Sequence, residues 1–120
     1  MALEHAQPLD VIDARPLAGQ LHEVKNHSLL KTHTLQLMRV VMAAGQAQPQ
    51  HHVAGEMTIH CLEGRVRVTT PERSCELGPG QVTALPAQAS HSLEALSDTS
   101  LLLTILLHQV PGEKNQGGPG

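Results

Sequence analysis

Short runs of strand-forming residues, separated by glycine, proline and polar clusters, dominate this chain. Residues 35–42 form the clearest early run. Apolar and polar residues alternate over 65–69, which is typical of a strand with one buried and one solvated face. The other predicted strands cover residues 11–12, 28–34, 56–62, 75–77, 81–85, 91–96 and 101–108. Many short strands with turn residues between them indicate an all-β fold, a small antiparallel β-barrel or jelly roll.

The length of the chain is that of a single domain with one core. It has 120 residues. We predict one β-barrel domain over residues 1–111, in which residues 1–27 form an N-terminal arm and a first strand. Residues 17–24 suit a helical turn or an irregular arm. Residues 112–120 are rich in glycine and polar side chains, so we expect a disordered tail there.

Charge and composition exclude several classes of partner. The net charge is −3 and the eight Lys and Arg residues are scattered, so nucleic acid is not an expected partner. The chain has no Phe, Tyr or Trp with which to stack on bases. The apolar run 101–107 is too short to cross a bilayer, and the first residues do not resemble a signal peptide. Two cysteines without a pairing pattern suit reduced thiols, so we expect a cytoplasmic protein without a membrane partner.

Two short blocks near the middle of the chain offer histidine beside strand-like runs. The first block contains, in order, Gly45, His51, His52, Glu56, Met57 and Gly64. The second block contains Gly80, Pro86 and His91. Together they resemble the paired motifs of the cupin superfamily, whose small single-domain members are RmlC-like jelly rolls. The resemblance implies a metal site between the two motifs, usually built from three histidines and one glutamate.

The first motif of the family reads Gly, five residues, His-x-His, three or four residues, Glu, six residues, Gly. Counting forward from Gly45 places the first histidine at His51 and the second at Val53. Counting back from Gly64 places the glutamate at Met57. The first motif is therefore incomplete in this chain.

A four-residue gap before Met57 places the second histidine at His52 and the first ligand at Gln50. The two counts then differ by one residue, and a one-residue slip exchanges the faces of a strand. We favour His52 as the inward side chain, because the count from Gly45 crosses a loop of variable length. A bulge beside Gly55 would bring Glu56 inward.

The second motif is better kept. Gly80, Pro86 and His91 hold their places, whereas Gln88 and Ala95 replace the Gly and Asn of the family pattern. The resemblance therefore makes His91 the most secure candidate ligand.

The predicted ligands combine the two motifs. They are His52, His91, Glu56 and Gln50, with His51 and Met57 as weaker candidates. Imidazole and carboxylate groups suit one divalent transition metal, which would be Fe, Mn, Ni, Cu or Zn, whereas a thioether favours Cu(I). The alternative is that Met57, Ile59 and Cys61 alternate inward as plain core and that no metal is bound.

Two functions remain open for such a chain. The first is a metal-dependent cupin that acts on a small molecule, as an oxygenase or isomerase. The second is a metal-free cupin that binds a small ligand as a sensor or accessory protein. In both cases the resemblance implies a homodimer. The apolar runs 35–42 and 101–107 are our candidates for its interface.

Overall fold

A computed structural model describes residues 6–108, which contain nine strands and one short 3₁₀ helix, Ala18–Glu23. The strands are β1 (His27–Lys31), β2 (Leu35–Met42), β3 (Ala47–His51), β4 (Met57–Glu63), β5 (Val66–Thr69), β6 (Ser74–Leu77), β7 (Val82–Leu85), β8 (His91–Ala95) and β9 (Thr99–Leu106). They form a five-stranded sheet in the order β1-β2-β9-β4-β7 and a four-stranded sheet in the order β3-β8-β5-β6. All the recorded strand pairs are antiparallel.

The inner faces of the two sheets form one aliphatic core. Ile59, Cys61, Val66 and Leu101 have no exposed surface, and residues from both sheets belong to the same buried cluster. The prediction of an all-β jelly-roll fold is therefore confirmed. In the described part of the chain the two sheets remain separate, so the architecture is a sandwich and not a closed barrel.

Strand β9 lies at the centre of the larger sheet and shows a clear division of its two faces. It pairs with β2 along its full length and with β4 on its other side. Leu101, Leu103 and Ile105 are buried, whereas Leu102 and Leu106 are only half-buried. One face of the apolar run thus packs into the core, and the other lies on the outer surface of the sheet.

Two local predictions differ from the structure. Residues 11–12 form no strand, and Val11 is 95% exposed. Strand β3 was not predicted, because its sequence is polar and contains Pro49. It lies at an edge of the smaller sheet, where proline is tolerated because one side of an edge strand needs no N–H donor.

The N-terminal arm is fastened to the larger sheet by a buried arginine. Arg39 is 3% exposed, and its guanidinium donates hydrogen bonds to the carbonyl oxygens of Arg15 and Asp13, at 3.1 and 3.3 Å. These bonds satisfy a charged side chain that would otherwise be costly to bury.

A carboxylate provides the second attachment of the arm. Glu63 accepts hydrogen bonds from the N–H groups of Leu17 and Ala18, at 2.7 and 2.9 Å, and from the Ser100 hydroxyl at 2.6 Å. Burial raises the pKa of Glu63, but these hydrogen bonds outweigh it and hold the pKa below its usual value. Glu63 therefore ties the arm to the sheet in its ionised form.

The domain limits that we predicted stay a prediction, and the predicted tail 112–120 lies outside the described residues. Within residues 6–108, no helix is long and apolar enough to cross a membrane.

Candidate functional site

Two imidazoles meet where the ends of β3 and β8 pair. His51 and His91 are Cα partners in the antiparallel ladder, after an irregularity in β3 between Gln48 and His51. Their ring centroids lie 4.4 Å apart, and the ring planes are inclined by 52°. The fold therefore brings together one histidine from each of the two sequence motifs.

Both rings are oriented by the same local hydrogen bond. Nδ1 of His51 lies 3.2 Å from the carbonyl oxygen of Pro49, and Nδ1 of His91 lies 3.1 Å from that of Ala89. A carbonyl oxygen only accepts, so Nδ1 carries the proton in each pair. In a neutral ring the lone pair is then on Nε2, which is the arrangement found when a histidine ligand is oriented by a backbone carbonyl.

His91 presents its lone pair in the interior. The residue is 1% exposed, and Nε2 has no hydrogen-bond partner within residues 6–108. Burial lowers the pKa of His91, against an opposing effect of the Ala89 hydrogen bond, and protonation of His51 or His52 would lower it further. The ring is therefore neutral near pH 7, and its buried Nε2 lacks a protein donor among the described residues, so a water, a ligand or an ion can occupy this position.

Three other predicted ligands do not line the cavity described below. Gln50, His52 and Glu56 are exposed, as His51 is, but of these four only His51 contributes to the cavity wall. The ring packed against His91 is that of His51, so our preference for an inward His52 does not match the ring geometry. Whether these side chains bind metal stays a prediction.

The expected bulge beside Gly55 is not found, since Gly55 lies between β3 and β4 and belongs to neither strand. A Cβ atom at Gly55 would overlap the carbonyl oxygens of Leu106 and His108, so glycine is needed for close approach of two backbones. The carbonyl of Glu56 accepts the N–H of Leu106 at 2.9 Å while the Glu56 side chain remains exposed. Glu56 is thus held outside the site.

Val53 and Met57 occupy the two remaining motif positions. Both line the same cavity as His51, and Met57 is 3% exposed. Three residues separate Val53 from Met57, which is the shorter of the two family spacings. With that spacing the counts from Gly45 and Gly64 agree, and our four-residue count caused the apparent slip. The count from Gly45 thus identified the motif position of Val53, which we did not choose as a candidate because valine is not a ligand.

The cavity lies between the sheets and has a volume of about 340 Å³. Its walls are mainly aliphatic, with polar groups from Asn26, Gln36, Gln48 and His51. None of the described side chains that line it is Asp, Glu, Lys or Arg. Its volume is at the lower end of the range for small-molecule pockets, and its surface suits an uncharged molecule.

The donor set departs from the one that the sequence resemblance implies. His51 and His91 supply two imidazole nitrogens, and Met57 supplies a thioether in place of a carboxylate. Among residues 6–108, no three His, Cys, Asp or Glu side chains are grouped closely enough to hold a metal. The residues present fit a site with two nitrogen ligands and do not fit the set of three histidines and one glutamate.

A second, larger cavity of about 580 Å³ lies beside the edge strands β6 and β7. Its walls include Thr70, Arg73, Cys75 and Leu85, and neither His51 nor His91 lines it. The smaller cavity is nevertheless the better candidate for the functional site, because His51 lines it and the ring of His51 packs against that of His91, which itself lines neither cavity.

The sequence of this chain matches the model of one protein family. The family model described as a cupin domain matches residues 38–107. No curated protein matches the chain.

Solved structures with the same fold are numerous. A cupin superfamily protein from Desulfitobacterium hafniense has a TM-score of 0.68 at 19% sequence identity, covering 79% of this chain and 93% of that chain. KdgF from Halomonas sp. has a TM-score of 0.63 at 19% identity, covering 70% and 80% of the two chains. A mutant of salicylate 1,2-dioxygenase from Pseudoaminobacter salicylatoxidans has a TM-score of 0.61 at 17% identity, covering 66% of this chain and 25% of that chain. At these identities the likeness concerns the fold.

Proposed function

Because this chain belongs to the cupin family, we propose that it binds a small uncharged molecule in the cavity beside His51 and His91. We further propose that these two histidines hold one transition-metal ion. The cavity lining is mainly aliphatic with a few uncharged polar groups, so an uncharged organic ligand gains from burial there without leaving a charge unpaired.

The unpartnered Nε2 of His91 carries the proposal. It is buried, belongs to a neutral ring and has a fixed tautomer. The ring of His51 beside it has the same tautomer. Two adjacent acceptor nitrogens cannot hydrogen-bond to each other, whereas both can bind one metal ion; of the two, Nε2 of His91 is buried without a protein donor among the described residues, and His51 is exposed.

An oxygenase or isomerase activity is the enzymatic form of the proposal. A metal held by His51 and His91 would keep coordination positions open and would supply Lewis-acid chemistry towards a substrate oxygen. A salicylate 1,2-dioxygenase mutant shares the fold with this chain, so oxygenase chemistry is one activity to assay. The chain's own contribution would be to orient the ligand within aliphatic walls and to exclude water.

A metal-free binding protein is the second candidate. Val53 and Met57 occupy two ligand positions of the family pattern, and both have apolar side chains that pack in the cavity wall. In that case a donor group of the ligand, such as a hydroxyl, would satisfy Nε2 of His91. The protein would then act as a sensor or an accessory protein.

Metal titration of the untagged protein separates the two candidates. Zn(II) is titrated by calorimetry and Cu(I) by anaerobic competition with a chromophoric chelator, for the wild type and for His51→Ala, His91→Ala and His52→Ala. We expect the first two variants to lose binding and His52→Ala, an exposed neighbour of the site, to retain it. Thermal unfolding of each variant shows whether the buried His91 can be removed without loss of the fold.

Other outcomes of that titration contradict the proposal. Equal and weak binding by all four proteins would favour the metal-free candidate. Loss in His52→Ala with retention in His51→Ala would favour the register in which His52 faces inward.

We also propose that the protein forms a homodimer through the outer face of the larger sheet. Leu30, Leu37, Leu102 and Leu106 are half-buried apolar residues on the β1, β2 and β9 strands of that sheet. A second copy would cover this apolar surface.

A further inference from the structure

We infer that the ion for which this site is selective is Cu(I), bound by the imidazoles of His51 and His91 and the thioether of Met57. The inference rests on the proposed function, because it concerns the ion at that same site. It assigns a role to Met57, which the metal-free candidate treats as core.

Met57 lines the same cavity as His51, whose ring packs against that of His91. It is the first residue of β4, where it pairs with Ile105 on one side and Leu85 on the other. Its side chain is 3% exposed and lines the same cavity as His51. His91 points into the interior from the opposite sheet, since it alternates with buried Leu93 along β8.

The absence of charge in the cavity walls argues against a divalent ion. None of the described lining residues is a carboxylate that would neutralise it. The cost of moving an ion from water into a protein interior rises with the square of its charge, so a single positive charge is much easier to hold there. A divalent ion would remain partly hydrated at the mouth and bind weakly.

The donor types argue for a soft ion. Thioether sulfur prefers Cu(I), and imidazole nitrogen is also a copper ligand. Met38 lines the same cavity and offers a second thioether on the β2 side. At the motif position of Met57 the family pattern has a carboxylate, which suits hard and borderline divalent ions. The thioether of Met57 suits Cu(I) instead.

The chain offers a matched control for Met57. Met42 is also a buried methionine, 3% exposed, in the same core cluster, but it does not line the cavity. Replacing either methionine with leucine nearly conserves volume, so both variants are expected to fold. Replacing Met57 with glutamate restores the ligand type of the family pattern.

The experiment measures Cu(I) affinity by anaerobic competition with bicinchoninate and Zn(II) affinity by calorimetry. We expect Met57→Leu to weaken Cu(I) binding about tenfold or more, which is the effect of losing roughly 1.4 kcal/mol of binding free energy. Zn(II) affinity should stay nearly unchanged in this variant. Met42→Leu should alter neither affinity, and Met57→Glu should shift the preference from Cu(I) towards Zn(II).

A structural readout accompanies the affinities. X-ray absorption at the copper edge of the Cu(I)-loaded protein should show a sulfur ligand in the wild type and in Met42→Leu, and none in Met57→Leu. If both metals need His51 and His91 but Cu(I) binding is the same in Met57→Leu as in the wild type, the inference is wrong and the proposed site stands. If neither metal depends on the histidines, the proposed function itself is wrong.

Discussion

Replacing Leu101 with alanine should destabilise this protein more than the same replacement at Leu103, although the two leucines are neighbours on one face of β9. Leu101 has no exposed surface and does not line the cavity, whereas Leu103 is 7% exposed and forms part of the cavity wall. Both changes remove three buried carbon groups, a transfer loss of about 2.4 kcal/mol at roughly 0.8 kcal/mol each. They differ in the void that remains.

At Leu101 the truncation opens a new void in close-packed surroundings, and such cavities bring the total cost of Leu→Ala to as much as about 5 kcal/mol. At Leu103 it enlarges a space of about 340 Å³ that already exists, so fewer packing contacts are lost. We therefore expect a loss of about 4–5 kcal/mol for Leu101→Ala and of about 2.5–3 kcal/mol for Leu103→Ala.

Urea denaturation followed by far-ultraviolet circular dichroism measures both losses, since a chain without Trp or Tyr gives no useful intrinsic fluorescence. All proteins are compared at one concentration, because dimer dissociation would couple to unfolding. Equal losses at the two positions, or a larger loss at Leu103, would show that the cavity or the packing around β9 is not as described. A loss under about 1 kcal/mol at Leu103 would mean that this face of the strand is exposed.

Three further predictions concern the arm, a turn and the assembly. Glu63→Gln should cost about 1–2 kcal/mol at pH 7, because an ionised acceptor of two arm N–H groups is lost. Because the pKa of Glu63 is lowered by folding, its contribution to the free energy of unfolding is present above the usual carboxyl pKa and is lost as pH falls through the folded-state pKa. The stabilities of the wild type and of Glu63→Gln should therefore converge in acid denaturation curves. Gly64→Ala should destabilise the folded protein more than Gly80→Ala. Both glycines have φ of +83°, but only at Gly64 would a Cβ overlap the backbone of a neighbouring strand. Equal melting temperatures of the two variants would contradict this prediction. Sedimentation equilibrium should give a dimer that Leu37→Asp dissociates, and a monomeric wild type would refute the proposed interface.

The strands with strong side-chain patterns could be predicted from the sequence. The alternation over residues 65–69 and the apolar run 101–107 identified β5 and β9, because burial of one face leaves a repeating pattern in the sequence. Strand β3 could not be found in this way. Its residues are mostly exposed, and it is held by pairing with β8 instead of by burial of its own side chains.

The candidate site was predictable in part. The second motif identified His91 directly, because Pro86 and Gly80 fix its distance from a turn. The choice between His51 and His52 depended on a one-residue count, and only the ladder between β3 and β8 shows which ring packs against His91. Sequence spacing also could not show that Glu56 is held outside, since that depends on the close approach of Gly55 to the end of β9.

The most direct test of the site is an NMR titration of the imidazole nitrogens of ¹⁵N-labelled, untagged protein. Long-range ¹H–¹⁵N spectra report which nitrogen of each ring carries the proton, first without metal and then during stepwise addition of Cu(I) or Zn(II). Before addition, His51 and His91 should both show protonated Nδ1 and unprotonated Nε2. On addition, the Nε2 resonances of these two rings should shift together while those of His52 remain in place. A shift of His52 with His91, or no selective shift in either ring, would contradict the account.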